Sequence, residues 1–121
     1  MSKKILVVED TEDNRQILRD LLGMAGYEMV EAHDGAEGVA KAAEHKPDLI
    51  LMDIQMPVMD GYEATRRIKA DPVLKSIPVI AVTSYALSGD EDKARAAGCD
   101  GYVAKPFSPR QMLAKVREIL G

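Results

Sequence analysis

In this chain several chemically capable residues stand directly behind short apolar runs. Asp53 follows Leu49-Ile50-Leu51-Met52, and Glu9 and Asp10 follow Ile5-Leu6-Val7-Val8. Thr83 and Ser84 follow Val79-Ile80-Ala81-Val82, and Lys105 follows Tyr102-Val103-Ala104. In an open parallel α/β sheet the carboxyl ends of all strands share one edge, and ligands bind there. Three acids, a hydroxyl pair and a lysine would then converge. Carboxylates about 4 Å apart repel by ~4 kcal/mol per pair at an effective dielectric of about 20. A single lysine relieves only part of this, so the acids invite a divalent cation. All-oxygen donors favour hard Mg²⁺, with Mn²⁺ as a substitute, over zinc. Beside such an ion Asp53 stays charged and can attack phosphorus as a carboxylate nucleophile. Lys105 and Thr83 would offer a positive charge and a hydroxyl donor to the arriving phosphoryl oxygens.

The elements that must position these residues are legible. The four apolar runs are strand-length, and their continuous apolar character implies burial on both faces, as in a parallel sheet covered by helices. A fifth run, Tyr27 to Ala32, is more mixed and suits an edge. Between the runs, Asp34 with Glu37, Asp60 with Glu63, Ser88 with Glu91 and Ser108 with Gln111 have capping-box spacing, which marks helix starts. Pro109 strengthens the last. The first helix has no box, but Ile17, Leu18, Leu21, Leu22 and Ala25 form an apolar face that Gly26 ends. Lys46-Pro47 and Asp71-Pro72 end two others, because a residue before proline is pushed out of the α region. Five strand–helix units with short connections predict a parallel sheet wrapped on both sides.

Bulk composition agrees. At 121 residues the chain is predicted to be one domain, 1–121, with no output domain. Apolar residues make up 46% and charged residues 30%, a globular profile. The net charge of −4 argues against nucleic-acid binding. No apolar run approaches the roughly 20 residues of a membrane span, and no secretory signal is present. Cys99 is the sole cysteine, so a cytoplasmic address is expected.

The stretches VVED at 7–10, LILMDIQMPVMDG at 49–61, AVTSYA at 81–86 and YVAKPFS at 102–108 together resemble the receiver domain of bacterial two-component response regulators, end to end. The wording of MDIQMPVMDGYEATRRIK and GCDGYVAKPFS is similar to stand-alone regulators of the DivK type and to hybrid-kinase receivers. The resemblance implies a flavodoxin-like (βα)5 fold of strand order 2-1-3-4-5. It implies that Asp53 accepts a phosphoryl group from a sensor histidine kinase or histidine phosphotransfer protein. Asp10, Asp53 and the Gln55 backbone carbonyl would ligate Mg²⁺, with Glu9 acting through metal-bound water. Lys105 would pair with the phosphoryl group, on a Lys105–Pro106 peptide that is usually cis. Thr83 and Tyr102 would act as switch residues and Ser84 would leave room for the group. Gln55 and Tyr85 would tune its lifetime. The implied output is protein–protein, through the fourth helix, fifth strand and fifth helix, from a monomer or a phosphorylation-dependent homodimer. The chain would be no enzyme beyond its own phosphorylation and dephosphorylation.

Two other classes fit the residues poorly. An aspartate-nucleophile phosphohydrolase needs a second aspartate two residues on, where Gln55 stands. A flavin-mononucleotide carrier needs a phosphate loop where Glu9 and Asp10 would repel phosphate. Other residues are expected to be structural. His33 and His45 read as surface or capping residues, Cys99 as a small, partly buried, unreactive residue, and Arg66, Arg67 and Lys69 as a solvated face. Met24, Met29, Met52, Met56, Met59 and Met112 read as packing. Asp53 itself reads as a residue at the strand's exit rather than a charge in the core.

Overall fold

The computed structural model describes residues 3–56, 59–83 and 90–120; Pro57, Ser84, Tyr85, Ala86 and Ser88, named above, lie outside them. Five strands alternate with five helices: β1 (Lys4–Val8), α1 (Glu12–Met24), β2 (Glu28–Ala32), α2 (Gly35–His45), β3 (Leu49–Asp53), α3 (Gly61–Ala70), β4 (Val79–Thr83), α4 (Asp90–Ala97), β5 (Gly101–Ala104) and α5 (Pro109–Leu120). All strand pairs are parallel, in the order β2-β1-β3-β4-β5. The mixed run at 28–32 takes an edge, as its polarity predicts.

Alternation along the strands divides the core in two. Leu6, Val8, Ile50 and Met52 face one side, against Ala42 of α2, Ala64 and Ile68 of α3 and Ala94 of α4. Ile5, Val7, Leu49 and Leu51 face the other, against Leu18 and Leu22 of α1 and Met112 and Val116 of α5.

The helix starts behave as their residues dictate. Asp34 Oδ1 accepts from Glu37 N at 2.8 Å, and Asp60 Oδ1 from Glu63 N at 2.9 Å. Ser108 and Gln111 close a full reciprocal box at 2.9 and 3.0 Å. Gly26, at φ +90°, ends α1. Asp71 leaves the helix in an extended conformation before Pro72.

Three packing expectations need correction. Ile17 is 54% exposed and stands outside the buried face of α1, whose buried apolar residues are Leu18 and Leu22. Met24 is 89% exposed. Lys69 is not part of a solvated face. Its ammonium donates to Lys75 O, Ile77 O and Asp100 Oδ2 at 3.1, 2.7 and 2.9 Å, tying the α3–β4 connection to the turn before β5. Arg66 and Arg67 are exposed and pair with Glu63, as read. Cys99 is buried, and burial raises its thiol pKa.

Candidate functional site

The sheet register brings the strand exits level. Val8 pairs with Met52, Asp53 with Val82, and Thr83 with Ala104. The ladder continues past the strand ends: Glu9 N donates to Ala32 O, Ile54 N to Val82 O and Lys105 N to Thr83 O, at 3.0, 3.0 and 2.7 Å. Because side chains alternate, Glu9 continues the row of Val7 and Asp53 the row of Leu51. Both acids therefore emerge on the α1/α5 side.

There they meet Lys105. Its Nζ lies 3.0 Å from Glu9 Oε1 and 3.1 Å from Asp53 Oδ1. The Lys105–Pro106 peptide is cis, as the resemblance implies. Carboxylate oxygens of Glu9, Asp10 and Asp53 all lie within 4.8 Å of one another. Glu9 and Asp53 are each 3% exposed, whereas Asp10 is exposed. Asp53 is thus both the last residue of β3 and a buried acid, which corrects the reading of it as merely an exit residue. Burial and the neighbouring Glu9 push its carboxyl up to about 7, with Lys105 opposing. For Glu9, burial acts upward, but hydrogen bonds with Asp53, Asp10, Lys105 and the Thr11 amide outweigh it and hold the group at about 2. Burial and Glu9 raise Asp10. Without a further cation the cluster is short of positive charge, and both Asp53 and Asp10 are pushed upward by it.

Two residues that sequence reasoning left out support this cluster. Asn14 Nδ2 donates to Glu9 Oε1 at 3.1 Å. Arg15, only 7% exposed, donates to the Glu9 carbonyl at 2.6 Å while pairing with Glu12 and Glu31. Their signal was position: the opening turns of a helix directly behind an acid pair face back onto that loop.

The fourth exit is arranged differently. Thr83 is fully buried, and its Oγ1 accepts from Gln55 Nε2 at 2.7 Å. The Gln55 amide N–H donates to Asp53 Oδ1 at 3.3 Å. Tyr102 is half-buried and packs against the α2/α3/α4 core. α3 approaches closely behind the acid: a Cβ on Gly61 would collide with Asp53 O and the Ile54 backbone. Every buried side-chain nitrogen and oxygen among the described residues has a hydrogen-bond partner.

Comparison with known families decides the class. Residues 5–117 match the model of the response regulator receiver domain. This chain belongs to the response-regulator receiver family. The receiver is 45% identical over all 121 residues to the polar-differentiation response regulators DivK of Brucella anthropi and Brucella melitensis, covering 98% of each. Its fold superposes at TM-score 0.93 on the receiver domain of a Pseudomonas aeruginosa sensor histidine kinase, described with magnesium coordinated in its active-site cleft (36% identity, 100% of this chain and 99% of that one). The chemotaxis protein CheY4 of Vibrio cholerae superposes equally well at 32% identity, over 98% of this chain and 99% of that one. The receiver thus has the flavodoxin-like architecture expected and acts in two-component signalling. Nothing supports the phosphohydrolase alternative, and the amide of Gln55 is engaged with Thr83. Among the described residues no helix is long and apolar enough to cross a membrane.

The acid cluster also fits a hard divalent ion. Three carboxylates converge with no nitrogen or sulfur donor among them, the donor set that suits Mg²⁺.

Proposed function

We propose that Asp53 is the phosphoacceptor of this receiver, acting in the cytoplasm and taking its phosphoryl group from a phosphohistidine on a sensor kinase or phosphotransfer protein. The observation that carries the reading is the contact of Lys105 with both Glu9 and Asp53 at about 3 Å. A fixed ammonium stands beside the nucleophile, where charge on the transferring group must be met. Asp53 attacks phosphorus, the phosphorus–nitrogen bond breaks, and its electron pair stays with the imidazole. Glu9, Asp10, Asp53 and the Gln55 carbonyl would hold Mg²⁺, with Mn²⁺ as a substitute. The ion supplies the positive charge that the cluster lacks and favours the ionised form of Asp53. Lys105 stays charged, since Glu9 and Asp53 outweigh its burial.

Phosphorylation adds strong acceptor oxygens and nearly another unit of negative charge at the rim. Thr83, at the end of β4, then exchanges its Gln55 contact for the phosphoryl oxygen, and Tyr102 follows inward. The α4-β5-α5 face carries that change to a partner protein or a second copy. The domain catalyses no other turnover.

The test is incubation with Mg²⁺ and acetyl phosphate, followed by intact mass. One hydrolysable phosphoryl adduct is expected, lost in Asp53→Asn and without the metal. No adduct, together with no spectral response to beryllofluoride, overturns the reading.

A further inference from the structure

Arg15 stands where a core side chain belongs. It shares the buried row of α1 with Leu18 and Leu22, and only 7% of it is exposed. The position is costly for a guanidinium. Burial penalises the charge, and the helix dipole disfavours a cation near an N-terminus. An apolar residue would pack there without either penalty. Three acceptors offset the cost. Nη2 meets Glu12 Oε2 at 2.6 Å, Nε lies 3.3 Å from Glu31 Oε1, and Nη1 donates to the Glu9 carbonyl at 2.6 Å. Glu31 sits on β2 in register with Val7, so its side chain faces α1. Arg19 grips the same carboxylate from the outer side, at 2.6 and 2.9 Å.

The carbonyl contact is the informative one. Glu9 N still finds a strand partner in Ala32 O, but β2 ends there and the Glu9 carbonyl lies past the ladder. Arg15 meets it instead. That oxygen belongs to the planar peptide that joins Glu9 to Asp10. Holding it fixes the peptide plane, and with it the direction in which Asp10 departs. Asp10 is exposed, yet its carboxylate comes within 4.8 Å of those of Glu9 and Asp53. The Glu9 side chain is held separately, by Thr11 N, Asn14 and Lys105.

We infer that Arg15 is a positioning residue for the divalent ion: it aims Asp10 by holding the Glu9–Asp10 peptide, with Glu31 as its anchor on the edge strand. The inference rests on the acid cluster holding Mg²⁺, and it adds a residue that acts on the site only through the backbone. Asp53 and Lys105 are not attached to that peptide. Loss of Arg15 therefore weakens metal binding and leaves the chemical step intact.

The experiment titrates Mg²⁺ into the full chain as wild type, Arg15→Met, Arg15→Lys and Arg19→Met, following the Asp10 and Asp53 amide resonances. Arg15→Met is expected to raise the Kd about tenfold or more, as removal of a group that orients a ligand does. Arg15→Lys keeps the charge and one donor but not the planar fork, and its Kd should fall between. Arg19→Met takes the other partner from Glu31 without touching the carbonyl, and should leave the Kd unchanged. Metal-free hydrogen exchange gives a second readout. The Thr11 amide, bonded to Glu9 Oε2 in the same loop, should exchange faster in both Arg15 variants and not in Arg19→Met. In adduct formation from acetyl phosphate, half-saturating Mg²⁺ should rise in step with the Kd while the limiting rate stays level. Unchanged Kd or Thr11 exchange in folded Arg15 variants, or an equal rise in Arg19→Met, overturns the inference and leaves the metal site standing. So does a fall in limiting rate with metal affinity intact. If Arg15→Met does not fold, Arg15→Lys alone decides, by a raised or an unchanged Kd. No Mg²⁺-induced shift in the wild type overturns the metal reading, and this inference with it.

Discussion

Gln55 Nε2 donates to Thr83 Oγ1 across 2.7 Å, joining the loop behind β3 to the end of β4. The hydroxyl proposed to meet the phosphoryl group is thus held by a neighbour of the proposed phosphoacceptor, Asp53. A neutral hydrogen bond of this kind contributes about 0.5–1.5 kcal/mol net, or roughly two- to tenfold in a two-state equilibrium. Gln55→Leu is expected to move the Thr83 and Tyr102 resonances of the unphosphorylated protein part-way toward their beryllofluoride-bound positions. Unmoved resonances would show that the bond restrains nothing.

Lys105 bridges Glu9 and Asp53, both almost wholly buried. Lys105→Met leaves these acids without their shared cation. The expected loss is about 1–3 kcal/mol of unfolding free energy, larger at pH 8 than at pH 5, where Asp53 is protonated. Mg²⁺ affinity should rise, since a competing positive charge is gone. Urea titrations at both pH values and a Mg²⁺ titration followed by NMR check this together.

The acids make stability depend on pH. Asp53 is raised from 3.8 to about 7, so the folded state binds the extra proton and the contribution is lost as pH rises through that window. Glu9, lowered from 4.5 to about 2, acts oppositely and only at lower pH: its contribution is present above about 4.5 and lost toward 2. In metal-free buffer, stability from urea unfolding should fall by about 2–3 kcal/mol between pH 5 and 7.5. Excess Mg²⁺ should flatten the slope. A level metal-free profile would contradict the placement of the proton on Asp53.

Gly61 starts α3 where a methyl group would strike the carbonyl of Asp53 and the backbone of Ile54. Backbone cannot yield as a flexible side chain does. Gly61→Ala is expected to cost about 1–3 kcal/mol and to weaken Mg²⁺ binding, because relief requires moving Asp53. Ala70, exposed at the far end of the same helix, offers the control: Ala70→Ser should leave metal affinity unchanged.

What the sequence made readable was local. Asp34, Asp60 and Ser108 announced their helices because a cap acts within three residues. The site residues were found because each follows an apolar run. The burial of Asp53 and Glu9, and their opposite pKa shifts beside Lys105, depend on how closely β1, β3 and β5 bring three loops together, and no local pattern carries that. Arg15 and Lys69 were misplaced or missed for the same reason. On a charged helix face a long cation reads as solvated, yet Arg15 reaches the Glu9 carbonyl and Lys69 reaches Ile77 O.

The rim is assembled from residues 9, 10, 53, 83 and 105, at or just past the ends of four of the five strands. No fragment holds a miniature version of it. The Asp53 carboxylate on β3 and the Lys105 ammonium behind the edge strand β5 are 52 residues apart in the chain, and they meet only when β4 is seated between them. Fraying of that edge would strip Lys105 from Asp53 before the core itself melted. On the proposed function, competence to accept the phosphoryl group also reports that the last strand has docked, and a half-folded receiver would be silent.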